Sequence, residues 1–316
     1  MAENLIVSLQ AVFPLFVMMT VGYVIRRAGL VDEYSLKKMN SVCFKVFMAC
    51  MMFNNIYNID LSDFSDSDVI IYVCAAVVIS LILITVLVNL TEKDRSKRGV
   101  LVQAMFRANF VVLGMPLVTN IYGKEAALIP SILTAIVVPF FNITCVILLT
   151  YFNGKERPTA KMLLKKVFTN PYIIAALIAF AFKAVRLNLP AMVRSTVKDM
   201  AAVANPLALL ILGASFNFSN VPKYKKDLIY CCVMRLIVVP LVFVTPAVFM
   251  GFRGVGLMCI LAIFATPTAI SSHVMTQELG GDADLCGAEV VTSTALSILT
   301  LFLWIFCFKT FGLLPV

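Results

Sequence analysis

The chain has 316 residues, of which 61% are hydrophobic and 14% are charged, and its mean hydropathy is +0.97. Soluble domains are about half apolar and a quarter charged, so this composition excludes a water-soluble globule. Because a helical span needs ~20 mainly apolar residues, about 300 residues supply roughly ten spans with short connections.

Apolar runs separated by charges and helix breakers predict an all-α polytopic membrane protein with ten transmembrane helices. In chain order, spans one to ten cover residues 5–25, 38–57, 69–91, 99–121, 127–152, 168–187, 194–217, 227–250, 254–278 and 287–309. The first run has no basic lead-in and no small-residue cleavage site, so we interpret it as a retained span rather than a signal peptide.

Lys and Arg outnumber Asp and Glu by 26 to 17, which gives a net charge of +9. These basic residues lie in alternate connections, as expected for cytoplasmic loops that face a negative inner leaflet, so nucleic acid is not an expected partner. If both termini are extracytoplasmic, sixteen of these residues lie on the cytoplasmic side, seven lie on the outer side and three lie within spans. The outward loop after span two then carries Asp60, Asp63, Asp66 and Asp68. The nine cysteines show no metal-ligand spacing, and we expect no metal or other cofactor.

A weak internal repeat relates each residue to the one 157 positions later, as in Pro14 with Pro171 and Leu30 with Leu187. Because each half holds five spans, an odd number, the halves insert in opposite orientations, which is a common plan of secondary transporters. The predicted units are a first five-helix repeat at 1–152, a cytoplasmic linker at 153–167 and a second, inverted repeat at 168–316.

Proline interrupts the fourth span of each half, at Pro116 and at Pro267. Proline lacks an N–H and clashes with the preceding turn, and the bilayer offers no replacement hydrogen bond. The hydroxyls of Thr266, Thr268 and Ser271 surround the second proline. Matching interruptions predict a site near the membrane midplane, where half-helix N-termini bind an anion. The alternative is a pair of ordinary proline kinks.

Five of the predicted spans contain motifs in the order and spacing of one carrier family. The motif residues are Phe13, Pro14 and Gly22 in span one, Asn109 and Pro116 in span four, Asn170 and Pro171 in span six, Met234, Arg235 and Pro240 in span eight, and Pro267 and Glu278 in span nine. With these motifs the chain resembles, nearly end to end, the auxin efflux carrier family. This family includes plant auxin exporters and bacterial carriers described as malate or malonate permeases.

The resemblance implies two inverted repeats in which broken spans four and nine cross at Pro116 and Pro267. It also implies a scaffold of spans one, two, six and seven, against which the other spans move as an elevator-type transport unit. Asn109 would bind the substrate carboxylate. The chain departs from the family at Cys50, where proline is usual, and at Tyr172, where plant exporters carry asparagine. Plant-like auxin selectivity is therefore not expected.

Five other polar residues within the spans have a functional and a structural interpretation. Arg107 is either a counter-charge for a carboxylate or a structural partner of amide and carbonyl groups, because an unpaired guanidinium is costly in the bilayer. Asn55, Asn142 and Asn205 either line a cavity or join helices. Arg235 either contacts the substrate or orients the transport unit, and we favour the second interpretation.

Three residues near the end of span nine and the start of span ten are candidate proton acceptors. His273 is the single histidine, and its ring titrates near neutral pH. Glu278 and Glu289 are the alternatives. The structural interpretations are a packed neutral ring for the histidine and solvated helix-end carboxylates for the two glutamates.

These observations predict a secondary active transporter of a small organic anion, a mono- or dicarboxylate, in the cell membrane. The chain has no GxxxxGK[ST] motif for ATP and no catalytic motif in its spans, so we expect no enzyme. The alternatives are a cation-coupled symporter or antiporter on the plan of bile-acid or sodium/proton carriers, and a membrane sensor that does not transport. Protons, sodium and a second copy in a homodimer are the further partners considered.

Overall fold

The computed structural model describes residues 2–58, 67–153, 159–217 and 221–315, and within these ranges the protein is all-helical. The α-helices are α1 Ala2–Arg27, α2 Glu33–Val42, α3 Met48–Tyr57, α4 Ser67–Thr91, α5 Arg95–Phe106, α6 Met115–Tyr122, α7 Leu128–Asn153, α8 Ala160–Phe168, α9 Pro171–Ala184, α10 Ala191–Ser215, α11 Lys225–Val233, α12 Val239–Phe249, α13 Gly254–Ala265, α14 Ser271–Glu278 and α15 Ala283–Thr310. Wider π-helical turns at Cys43–Phe47, Phe110–Gly114 and Met234–Val238 continue into α3, α6 and α12. The predicted loop residues Asp60, Asp63 and Asp66 and linker residues 154–158 lie outside the described ranges.

Five helical segments of the described chain are long and apolar enough to cross a bilayer, and α8 with α9 makes a sixth if this pair, bent by 67°, is one span. The five are Ser67–Thr91, Lys124–Phe152, Ala191–Ser215, Pro222–Phe249 and Ala283–Thr310. On α4, the exposed side chains of Ile82, Val86 and Leu90 recur every four residues and form one apolar face. Such a face suits contact with lipid tails, and the protein is a multi-pass membrane protein.

One group of helices is held together by close backbone contact between α1 and α10. A Cβ added at Gly22 would collide with the backbone carbonyl of Leu210, and one added at Gly213 would collide with that of Met19. Small residues let helices approach at this distance and are typical of membrane interfaces. Helices α3 and α9 pack on the same group, which we call the α1–α10 group.

The second group is built around α5 and α13, and it also contains α4, α6, α7, α11, α12 and α15. All residues of α5 from Gly99 to Phe106 are buried, and so are all residues of α13 from Leu257 to Ala265. A helix that is buried on all sides lies at the centre of its bundle. We call this set the α5–α13 group.

Both central helices stop abruptly, and the two interruptions meet. The backbone N–H of Asn109 donates to the carbonyl of Pro267 at 2.9 Å, and the N–H of Ala269 donates to the carbonyl of Arg107 at 3.3 Å. These bonds flank an antiparallel bridge between Ala108 and Thr268. The crossing therefore satisfies part of the backbone that two broken helices leave unpaired in a membrane.

The first interruption lies at residues 107–109, and the predicted crossing at Pro116 is wrong. Pro116 sits inside a helical segment that runs without a gap from Phe110 to Tyr122. The segment starts with a π-helical turn in which the N–H of Met115 donates to the carbonyl of Phe110. This wider turn accommodates a residue that has no N–H, so the proline does not break the helix. Pro267, by contrast, lies within the second interruption.

The N-terminus of helix α5 is capped by the side chain of Asp94. The carboxylate of Asp94 accepts hydrogen bonds from the hydroxyl of Ser96 at 2.7 Å and from its N–H at 2.9 Å. These bonds stabilise the charged form and hold the pKa of Asp94 below its ordinary value. A negative cap also suits the positive N-terminal end of α5.

Candidate functional site

A narrow cavity lies beside the crossing, between the α1–α10 group and the α5–α13 group. Its volume is about 30 Å³, which is room for one or two water molecules. Four of the predicted site residues line it, namely Arg107, Asn109, Asn205 and Ser271. The structure thus brings together side chains from α10 and from both interrupted helices.

The other predicted site residues lie outside this cavity. The hydroxyl of Thr266 donates to the carbonyl of Ala262 at 2.7 Å, and that of Thr268 donates to the carbonyl of Ala104 at 2.8 Å. Both hydroxyls are thus occupied by the last turns of α13 and α5. Pro116 and Pro267 are not among the residues that line the cavity.

The guanidinium of Arg107 is the central charged group of the cavity. Its side chain is only 3% exposed, and its Nη2 donates to Asn142 Oδ1 at 2.5 Å and to Ser271 Oγ at 2.8 Å. None of the ion pairs found among the described residues includes it. The cavity therefore contains a buried positive charge that only neutral groups compensate.

Hydrogen-bond donors without partners surround this charge. The amide nitrogen of Asn109 and that of Asn55 are buried and bond to nothing in the described part of the chain. In addition, neither the helical segment that starts at Phe110 nor the one that starts at Ser271 has a side-chain cap. Free N–H groups at a helix N-terminus carry partial positive charge and bind anions. All of these features favour a negatively charged ligand.

The crossing itself is held by Arg235, which is 1% exposed. Its Nε donates to the carbonyl of Thr266 at 2.8 Å and its Nη2 to that of Ile263 at 2.8 Å. Its Nη1 donates to the carbonyls of Met105 at 3.2 Å and Phe106 at 3.3 Å. A single cation thus caps the negative C-terminal ends of both α13 and α5. These are the contacts of an orienting residue, and Arg235 does not line the cavity.

Two of the predicted candidates for proton or ion coupling, His273 and Glu278, lie in different places. His273 is buried, its Nδ1 lies 3.1 Å from the carbonyl oxygen of Ala283, and it lines a separate small pocket. Glu278 forms an ion pair with Lys45 at 2.9 Å and accepts a hydrogen bond from Ser41 at 3.3 Å. Glu278 therefore links α14 to the segment that joins α2 and α3, and the coupling roles of both residues stay predictions.

A much larger pocket, of about 890 Å³, opens between the end of α1, the start of α2, the end of α10 and the α14–α15 connection. Charged residues of both signs line it. They include Arg26, Arg27, Glu33, Lys37 and Asp284. We call this pocket the vestibule, and it gives water access to the contact between the two helix groups.

The sequence left Asn55 and Asn142 open between a cavity and a structural role, and it predicted no carboxylate contact at Tyr172. Asn55 and Tyr172 line the cavity, and Asn142 holds the guanidinium of Arg107. The signal for the asparagines was present, because each is an amide inside an apolar run. Their convergence on one point depends on how α3, α7 and α9 pack.

The fold and the site describe a polytopic protein with a polar cavity between two helix groups, and comparisons with known proteins agree. The family described as "Membrane transport protein" matches residues 7–305. An "Uncharacterized transporter" from Methanothermobacter thermautotrophicus is 25% identical over 299 residues, which are 94% of this chain and 97% of that protein. The chain therefore belongs to the membrane transport protein family, that is, the auxin efflux carrier family, and the resemblance is confirmed.

Proposed function

We propose that this protein is a secondary active transporter of a small organic anion, a mono- or dicarboxylate. The observation that supports the proposal most directly is the buried guanidinium of Arg107, which faces the cavity without a carboxylate partner in the described chain. An uncompensated buried charge costs several kcal/mol. A bound carboxylate removes this cost, and the free amide of Asn109 gives it a further donor.

The charge of the site suits an anion of one or two charges. Arg107 contributes one positive charge, and each of the two half-helix N-termini contributes roughly half a charge. The total is about two positive charges within one cavity. A malate-like dianion or a monocarboxylate with other polar groups would be compensated there, whereas a cation would be repelled.

The position of the cavity supports transport by an elevator-type movement. Asn55, Tyr172 and Asn205 belong to the α1–α10 group, whereas Arg107 and Asn109 belong to the α5–α13 group. At about 30 Å³ the cavity is too small for a carboxylic acid of several carbon atoms. We infer that the two groups separate to admit the ligand, with the α1–α10 group as the scaffold.

The pattern of helix contacts supports ten spans in two inverted repeats. When α2 with α3, α5 with α6, α8 with α9, α11 with α12, and α13 with α14 are each counted as one span, the described part of the chain has ten. Span one packs on span seven and span two on span six, as a two-fold relation between halves requires. The crossing follows the same relation, since each broken helix donates one backbone hydrogen bond to the other.

The distribution of basic residues supports one orientation of the protein in the membrane. The vestibule lies at the end of the bundle that holds Arg26, Arg27 and Lys37, and basic residues concentrate on the cytoplasmic side. We therefore propose that the vestibule opens to the cytoplasm and that both termini are extracytoplasmic. The described conformation is then an inward-facing one with a nearly closed binding cavity.

A carboxylate screen with the purified protein tests this function. Binding is detected as a rise in melting temperature, and transport is then measured in proteoliposomes with the acids that bind. We expect Asn109→Ala to weaken binding by about 1.5–3 kcal/mol, roughly 10- to 100-fold in Kd, because a hydrogen bond to a charged group is lost. Arg107→Gln should weaken it at least as much.

Asn120 offers a matched control for the asparagine variant. It lies on the half-helix that directly follows Asn109, but its side chain is exposed, so Asn120→Ala should bind and transport like the unmodified protein. If no carboxylate raises the melting temperature or is transported, the proposed function is wrong. If transport persists unchanged in Asn109→Ala, that residue does not belong to the site.

A further inference from the structure

Glu289 is a carboxyl group inside the α5–α13 group without a basic partner among the residues that the structure describes. It lies on α15, and its side chain is fully buried. The thiol of Cys231 donates to its Oε1 at 3.1 Å, and its Oε2 has no hydrogen-bond partner in the described part of the protein. None of the ion pairs found there includes it.

Burial without a cation favours the neutral form of this carboxyl. Taking an ionised carboxylate out of water costs many kcal/mol, and one thiol hydrogen bond returns only a small part of that cost. A protonated carboxylic acid carries no net charge and is far cheaper to bury. The described conformation is therefore one in which Glu289 holds a proton.

Two of the three charged groups that act on Glu289 work in the same direction. Asp227 on α11 and Asp282 before α15 act on it as negative charges, and Lys97 on α5 acts as a positive one. Lys97 is already paired with Asp227 at 2.9 Å. Arg235, one turn beyond Cys231, donates its hydrogens to the carbonyls at the crossing.

The other titratable side chains near Glu289 are thiols or point elsewhere. Cys232 on α11 and Cys286, one turn before Glu289 on α15, are buried thiols. His273 on α14 packs against Gly287, and residues two apart on a helix do not face the same side. The net surroundings of Glu289 are therefore acidic or neutral.

Titratable side chains lie on the same two helices as the Cys231–Glu289 pair, towards the end of the bundle. Asp227 lies one turn before Cys231 on α11, and its side chain is 15% exposed. Asp282 lies two turns before Glu289 and accepts a hydrogen bond from the hydroxyl of Tyr224 at 2.9 Å. These groups can exchange protons with water at the proposed cytoplasmic face.

The surroundings suit a proton better than a sodium ion. Hard cations bind several oxygen ligands, whereas the thiols of Cys231 and Cys286 are soft. Glu289 is also absent from the lining of the coupling-candidate pocket at His273 and of the cavity at Arg107. A proton needs only the free Oε2 atom.

We propose that Glu289 is the proton-binding site through which this carrier couples the movement of its anion to a proton gradient, an inference that rests on the proposed function. Glu289 and Arg107 belong to the same helix group, so the proton and the anion travel together. The proton binds Oε2 on one side of the membrane and leaves it on the other, and no other bond changes. Its charge offsets that of the anion, which lowers the cost of import against the membrane potential.

The first test needs no substrate. Infrared spectra of the purified protein, recorded over a range of pH, report the C=O stretch of a protonated carboxyl. We expect this band at neutral pH in the unmodified protein, its loss in Glu289→Gln, and no change in Glu125→Gln, which alters an exposed carboxylate. A melting curve confirms that each variant is folded, and Glu289→Asp should restore a band at a shifted position. An identical neutral-pH spectrum in Glu289→Gln would overturn the proposal.

The second test uses radiolabelled malate in proteoliposomes and separates exchange from accumulation. Glu289→Gln mimics the protonated acid, so malate exchange should persist while accumulation driven by a pH gradient is lost. Equal accumulation in this variant and in the unmodified protein, or accumulation driven by sodium instead, would overturn the assignment. If the unmodified protein does not exchange malate, the failure concerns the proposed substrate, and the infrared result decides on Glu289.

Discussion

The substitution Arg235→Met isolates the energetic role of the guanidinium that caps the crossing. Methionine fills a similar apolar volume but donates no hydrogen bond. The change leaves four buried carbonyl groups without their donor, those of Met105, Phe106, Ile263 and Thr266. Both broken helices then lose the positive charge at their C-terminal ends.

The size of the effect follows from these four contacts. A buried polar group left without its partner costs about 1–3 kcal/mol, so the low end of this range gives about 4 kcal/mol for four carbonyls. Removal of the buried charge offsets part of that loss. We therefore expect a net loss of about 2–4 kcal/mol, or a fall in melting temperature of roughly 4–8 °C.

Thermal unfolding of the detergent-purified protein measures this fall. Arg253→Met is the matched control, because Arg253 also donates to two backbone carbonyls but lies at the exposed surface. Arg235→Lys should lie between the two, since lysine keeps the charge but lacks the planar fork of donors. Equal melting temperatures for Arg235→Met and Arg253→Met would refute the assignment of Arg235 as the cap of the crossing.

Two further predictions concern the contacts within and between the helix groups. Gly213→Val should lower the melting temperature clearly more than Ala202→Val on the exposed side of α10, because its Cβ would collide with the carbonyl of Met19; similar values would contradict the close contact of α1 with α10. The ion pair between Lys45 and Glu278 joins the turn before α3 to α14 but is partly exposed, so a double-mutant cycle with Lys45→Met and Glu278→Gln should give a coupling of about 0.2–1 kcal/mol. A coupling of zero in the melting curves would show that this pair does not hold the two segments together.

Much of the fold could be predicted because bilayer solvation acts locally on the sequence. The apolar runs that become α4, α7, α12 and α15 are visible in composition alone, and Pro267 marks a real interruption. The prediction that span four is interrupted at Pro116 was wrong for a physical reason. A proline breaks a helix only if the preceding turn demands its N–H, and the π-helical turn at Phe110–Gly114 removes that demand. The sequence carries no clear signal for such a turn.

Part of the site could also be predicted, because polar residues are recognisable within apolar spans. Arg107 and Asn109 stood out because polar groups inside an apolar span are costly and need a purpose. The sequence could not place Asn55 and Tyr172 in the site, because their proximity to Arg107 arises only where α3 and α9 pack beside the crossing. Thr266 and Thr268 looked equally suitable in sequence, yet their hydroxyls bond to the ends of α13 and α5.

The amino-acid sequence was enough to predict that this protein spans a bilayer, which family it belongs to, and that span nine is interrupted at Pro267. These properties depend on composition, motif spacing and local backbone chemistry. The tertiary structure alone decided where the first interruption lies, which cation caps the crossing and which one faces the cavity. Arg107 and Arg235 are the same residue type in similar apolar surroundings, and only the direction of each side chain in the packed bundle separates their roles.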